Sequence, residues 1–252
     1  TEADGQAQAV AVVQELLRLL GAAGADGLTV DLDLRPEGKN GPLSRSLTAY
    51  AAYYERWALT WEFQALLRAR VLIGPGDLAD RFTTLIEPLR WPAAGLDAAR
   101  TREVRTMKAR VEAERLPRGA DPRTHLKLGR GGLTDIEWTV QLFQLGHAHA
   151  VPALRTTNTC AGLAAARDAG LLTEDDAETL HQAWDNAARL RNAALLWRGR
   201  PAEAVPSDVR DADGVGRIVG REAGTGTSLT EAYLKQARRA RRVVEQVFYG
   251  RE

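Results

Sequence analysis

The sequence predicts an α+β fold that is mostly α, with a small sheet-bearing piece followed by a helical bundle. Three observations point there. One early stretch, "LTVDLDLR" at 28–35, alternates apolar and polar residues at the period of a strand, placing Leu28, Val30, Leu32 and Leu34 on one face and Thr29, Asp31, Asp33 and Arg35 on the other. Almost everything else repeats its apolar residues at three and four, the period of an amphipathic helix. Three later segments open on a hydroxyl residue with an acid three positions on, the signature of a capped helix start.

Taken in order, "TEADGQAQAVAVVQELLRLL" gives a first helix over about 5–20, and the strand follows at 28–35. Pro36 lacks the amide that a sheet ladder needs, and Gly38, Asn40 and Gly41 follow it, so the strand must end in a loop. From "SRSLTAYAAYYERW" to Gly74 the spacing predicts one long helix with Trp57 and Trp61, four apart, on its buried face. "GDLADRFTTLIEPL" gives a shorter helix stopped by "WP", and Asp97 to Leu116 a charged one stopped by "LPRGADPRTH". Thr134 with Glu137, Thr173 with Asp176 and Ser228 with Glu231 mark the three capped starts. "PAAGLD", near 92–97, is the candidate boundary, which divides the chain into 1–92 and a bundle at 93–252.

Composition narrows the function. Lys and Arg total 34 against 33 for Asp and Glu, so the chain lacks the phosphate attraction of a dedicated nucleic-acid binder. A single cysteine, Cys160 in the small-residue helical pattern "TTNTCAGLAAA", excludes an internal disulfide and a cysteine-cluster metal site; it fits packing and a reducing cytoplasm. No apolar run reaches the roughly 18 residues of a membrane helix, and no signal-peptide pattern opens the chain. A chain that starts directly in a helix, without methionine, reads as a piece of a longer protein.

Two stretches could carry chemistry. Asp31 and Asp33, about 6–7 Å apart along a strand, would repel unless a cation or an arginine offsets them. Mg²⁺, which takes one or two carboxylates plus substrate phosphates, suits phosphoryl or nucleotidyl transfer. A solvated face with one acid paired to arginine is the other reading. In "THLKLGRGGLTDIEWTVQLFQL", Gly129, Gly131 and Gly132 lead into a helix start beside Lys127 and Arg130, a setting for a phosphate or simply a turn and a cap. Farther along that helix Glu137, Gln141 and Gln144 share a polar face that meets solvent or a cleft. His125, His147, His149 and His181 form no zinc pattern. Lys235, Arg238, Arg239, Arg241 and Arg242 read as solvated charge complementing a helix end.

"VDLDLRPEGKNGPL", "YAAYYERWALTWEFQALLRAR" and "ERLPRGADPRTHLKLGRGGLTDIEWTVQLFQL", in that order, resemble the glutamine synthetase adenylyltransferase family, most of all its C-terminal, adenylylating half in high-GC Gram-positive bacteria. The resemblance implies a DNA polymerase β-like nucleotidyltransferase sheet domain, of which 1–92 would be the C-terminal part, then the bundle. It implies Mg²⁺-dependent transfer of AMP from ATP to a tyrosine of glutamine synthetase, in the cytoplasm, as a control on nitrogen assimilation. Within the family's V-D-x-x-L-R-P strand, Val30, Asp31, Leu34, Arg35 and Pro36 match. Asp31 is thereby the third, catalytic and metal-binding carboxylate, and Arg35 is placed on the nucleotide; Asp33, where many relatives carry a different residue, is placed as a further metal ligand by its position beside Asp31. Lys127, Gly129, Gly131, Gly132, Asp135 and Glu137 also match and are placed at the cleft, where they touch ATP or join bundle to sheet.

This chain departs from the family in having no glycine-serine and D-x-D upstream of Asp31, so alone it is expected to be catalytically incomplete. The resemblance leaves two rival readings, the deadenylylating half of the same enzyme and a regulatory bundle that binds a nitrogen-signalling protein. It implies neither a nucleic-acid nor a membrane partner.

Overall fold

A computed structural model describes residues 2–21 and 27–250. The chain divides into two compact units, Thr1–Arg90 and Trp91–Glu252.

The first unit carries helices α1 (Glu2–Gly21), α2 (Leu47–Arg56), α3 (Thr60–Leu66) and α4 (Gly76–Arg90). Its core is aromatic: Tyr53, Tyr54, Leu66 and Ile86 are buried together, with Phe63, Phe82 and Leu85 packed around them. Tyr54 stacks on Tyr50 at 5.0 Å and meets Phe63 edge-on at 5.5 Å, arrangements that add to simple area burial.

The expected sheet is not found among the described residues. Among the described residues no strand forms; an isolated antiparallel bridge between His125 and Ala204 is the nearest approach. Residues 27–32 are irregular and 33–37 turn, so Asp31, Asp33 and Arg35 lie on a loop, with Leu28 and Leu34 more than 60% exposed at 67% and 63%. A strand needs a neighbour to take its amides and carbonyls, and no described segment of this chain supplies one.

The long helix expected up to Gly74 is likewise two short ones. Glu62, 2% exposed, causes the break: one carboxylate oxygen accepts the Leu59 amide at 2.9 Å and the other the Tyr53 hydroxyl at 2.7 Å. Leu59 is thereby held extended as the cap of α3. The break turns Trp57 off the buried face, leaving it 73% exposed, and Trp61 is half-buried.

The second unit holds α5 (Ala98–Glu114), α6 (Leu133–His147), α7 (Thr159–Asp168), α8 (Glu174–Arg198), α9 (Val209–Ile218) and α10 (Gly226–Val247). Asp97 caps α5 by accepting the Arg100 amide at 2.7 Å. The long helices α8 and α10 pack on each other and on α6 and α9, with small residues such as Ala187, Ala194 and Ala237 letting the backbones approach. Leu126, Leu190, Val215 and Leu229 fill the space between, each worth roughly 1.5–3 kcal/mol of burial.

Of the three expected caps, Thr173 serves: its hydroxyl oxygen accepts the Asp176 amide at 3.1 Å and donates to the Asp176 carboxylate at 2.7 Å. Thr134 and Ser228 instead lie inside first turns that begin earlier, after Gly132 and Thr225. The reason is that other groups satisfy those helix starts. The Leu133 and Thr134 amides go to the carbonyls of Leu126 and Lys127, and Asp213 on α9 accepts the amides of Gly224 and Thr225.

Candidate functional site

The acidic segment of the first unit is a braced loop. Arg35 donates from Nη1 to the Leu32 carbonyl at 2.7 Å, from Nη2 to that of Lys39 at 2.8 Å and from Nε to that of Gly41 at 2.9 Å. Its guanidinium thus ties three backbone points together, a structural use of a residue expected on the nucleotide. Glu37 takes the left-handed conformation at φ 66°, and a Cβ on Gly41 would lie 2.0 Å from the Pro36 carbonyl oxygen, so this turn requires its glycine.

From below, Glu62 and Tyr53 hold the Glu37 amide, at 3.3 and 3.2 Å. Burial, and then Glu62, pushes the Tyr53 hydroxyl up to about 12, so it stays a donor. Arg45 closes the rim, ion-paired to Glu37 and lying 5.1 Å over the Tyr53 ring. On this frame Asp31 is exposed, one oxygen accepting the Asp33 amide at 2.8 Å in a local turn. Asp33 is exposed beside it.

In the second unit the glycine loop is closed rather than open to an anion. The amide of Gly129 goes to the His125 carbonyl, that of Arg130 to Pro122 and that of Gly132 to Gly129. The Leu128 amide goes to His125 Nδ1 at 3.1 Å, and the Gly131 amide to Asp135 at 2.7 Å. Gly131 sits at φ 74° with its Cα against the Ala237 backbone: a Cβ there would be 2.0 Å from the carbonyl oxygen. What the loop leaves to solvent is the side chains of Lys127 and Arg130. Glu137 is half-buried on α6, while Gln144, expected on the same polar face, is buried and donates to the Leu154 and Thr156 carbonyls.

Beneath that loop lies a buried ionic cluster. Asp135, 1% exposed, accepts Lys108 Nζ at 2.5 Å on one oxygen and Arg241 Nη1 at 3.0 Å, with the Gly131 amide, on the other. Lys108 and Arg241 also bond Glu112, at 2.5 and 3.1 Å, and the Tyr249 hydroxyl donates to the same carboxylate at 3.0 Å. Burial alone would raise the Glu112 carboxyl, but Lys108 and Arg241 outweigh it and hold it below its ordinary range. Burial, with Glu112 facing it, raises Tyr249. Arg241 also pairs at 3.0 Å with the more exposed Glu245, so every charge inside has a partner of opposite sign, which is the condition for keeping charges there.

The sequence reading missed this cluster and treated Arg241 as solvated. Lys108 with Glu112, and Arg241 with Glu245, are visible as i,i+4 pairs; their burial is not. Among the described residues no three His, Cys, Asp or Glu side chains gather as a metal site. Asp31 and Asp33 are two carboxylates on one loop, so a Mg²⁺ ion held there would take its remaining ligands from phosphate, water or other groups.

Comparison with known proteins places this scaffold. Residues 1–84 match the family described as glutamate-ammonia ligase adenylyltransferase, and 105–250 the family described as GlnD PII-uridylyltransferase. Both descriptions are of nucleotidyl-transferring enzymes. The chain is 54% identical over 250 residues to the bifunctional glutamine synthetase adenylyltransferase/adenylyl-removing enzyme of Streptomyces avermitilis, covering 99% of this chain and 25% of that protein. With the proteins of the same name from Streptomyces coelicolor and Mycobacterium avium the identities are 53% over 240 residues and 51% over 241, each covering 95% of this chain and 24% of the relative. The chain belongs to the glutamine synthetase adenylyltransferase family, and it spans about a quarter of the length of these relatives.

Proposed function

We propose that the protein transfers AMP from ATP to glutamine synthetase, acting in the cytoplasm, and that this chain is a scaffolding part of its adenylylating half. The observation that carries the reading is the 54% identity over 250 residues with a relative named for that activity. In this reading the Arg35-braced loop presents Asp31 as one carboxylate of a Mg²⁺ cradle, with further ligands from outside this chain. When bound, Mg²⁺ would neutralise phosphate charge.

The chain's own residues contribute rigidity. Arg35, Glu62 and Tyr53 fix the backbone that carries Asp31, so the carboxylate meets its partners without an ordering cost. Lys127, exposed at the rim of a loop whose amides are already engaged, is the group there that meets a phosphate of ATP. A nitrogen-signalling protein as regulator is a further part of the proposal; it follows from the family resemblance alone.

The test uses the complete protein with purified glutamine synthetase and ATP or UTP labelled in the α-phosphate. Label passing to glutamine synthetase from ATP, and not from UTP, is the expected outcome. Transfer from UTP to a different acceptor would instead favour the activity named by the match over residues 105–250.

A further inference from the structure

At the end of α8 and the start of α9 the second unit forms an open cavity of about 460 Å³, lined by Trp197, Arg198, Arg200, Arg210 and Asp211. Its volume falls in the roughly 300–1,000 Å³ range of small-ligand sites. Three arginines and one aspartate are among its lining residues.

The carboxylate is already used. Asp211 accepts the Trp197 indole N–H at 3.0 Å on one oxygen and Arg198 Nη2 at 2.8 Å on the other. These contacts hold its carboxyl below the ordinary range. Arg200 and Arg210 are exposed; no direct ion pair of either is found among the described residues, and the charge of Arg210 adds to the pull on Asp211.

The wall is built rather than incidental. Trp197 lies against α9 at Gly214, where a Cβ would come within 2.4 Å of the ring, so a larger residue would displace the indole. Gly199, left-handed at φ 63°, ends α8 and turns the chain between Arg198 and Arg200, both of which line the cavity.

We infer that this cavity is a binding site for a small oligophosphate anion, separate from the Asp31 loop and the Lys127 loop. Arginine forks match phosphoryl oxygens in pairs, and a lining of three arginines and one aspartate carries a net two positive charges, which calls for a ligand with at least two negative charges. The confined lining and the overall charge of +1 do not provide the basic stripe that a nucleic-acid strand follows.

The test is calorimetric titration of the intact protein with inorganic pyrophosphate at low salt. Compared are the unaltered protein, R200A/R210A, and R238A/R239A, which removes the same charge from two exposed positions on α10. The unaltered protein and R238A/R239A should each bind one more pyrophosphate per chain than R200A/R210A, and R200K/R210K should bind at that site at least about threefold more weakly. The lysine variant also serves as the measurement if R200A/R210A fails to fold. ADP binding more tightly than pyrophosphate at the same site would support the proposal with a nucleotide as the source, and equal binding would support it with the free anion. Equal stoichiometry in all variants, equal losses in both alanine pairs, or binding of an acidic peptide with none of pyrophosphate would overturn it.

Discussion

Asp135 accepts the amide of Gly131 at 2.7 Å, and this bond fastens the glycine loop to the buried charges of the bundle. The carboxylate that would otherwise be an ordinary first-turn acid of α6 is the node on which Lys108, Arg241 and the loop backbone converge. The loop is therefore a structural joint of the second unit, and changes within it should first be felt as stability.

Asp135→Asn should destabilise the second unit by about 3–5 kcal/mol, because it removes the most deeply buried carboxylate of the cluster and leaves Lys108 with Glu112, and Arg241 with Glu112 and the more exposed Glu245. Gly131→Ala should cost several kcal/mol as well, through the left-handed backbone and the clash with Ala237. Denaturant unfolding of both variants measures this; a loss below about 1 kcal/mol in Asp135→Asn would show that the cluster is not closed as described.

The Glu112 carboxyl has a lower pKa folded than unfolded, so the unfolded chain takes up its proton first and acid favours unfolding. Its contribution is complete above the ordinary value of 4.5 and is lost as pH falls towards about 2. Glu112→Gln should therefore flatten the acid limb of stability in that window. An unchanged acid limb would contradict the assignment.

The sequence shows the helices whose signals are local. The charged pattern after Asp97 and the Thr173 cap lead to α5 and α8, because period and cap lie within one turn of the chain. What it hides depends on distant partners. The alternation at 28–35 is a real pattern, but a strand exists only when a neighbour pairs with it. The break after Trp57 depends on Glu62 turning inward to Tyr53.

At the candidate site the same division holds. Asp31 and Arg35 are visible as residues, while the brace that Arg35 makes with three carbonyls depends on how the loop folds back. The burial of Asp135 depends on Lys108 and Arg241, which lie 27 and 106 residues away in sequence.

Lys127→Ala should weaken ATP binding to the complete protein by roughly 1–3 kcal/mol, the value of a lost charge-assisted hydrogen bond, and leave the bundle folded. Equilibrium binding of ATP with a melting curve alongside separates the two effects. Unchanged ATP affinity would confine the loop to its structural part.

Arg35→Ala should loosen the loop that carries Asp31 and lower the transfer rate with little change in the global melt, since the guanidinium braces backbone within one loop, between Leu32 and Gly41. Arg35→Lys should not rescue it, because one ammonium cannot reach three carbonyls in a fixed fork. Full rescue by lysine would mean that charge, not bracing, is what Arg35 supplies.

The most direct measurement is the rate of AMP transfer to glutamine synthetase by the complete protein carrying Asp31→Asn, set beside Asp33→Asn, across a Mg²⁺ titration. Asp31→Asn should lower the rate by several orders of magnitude with the fold intact, and Asp33→Asn should lower it much less. A normal rate in Asp31→Asn would contradict the account, and equal losses at both positions would contradict the distinction it draws between the two acids.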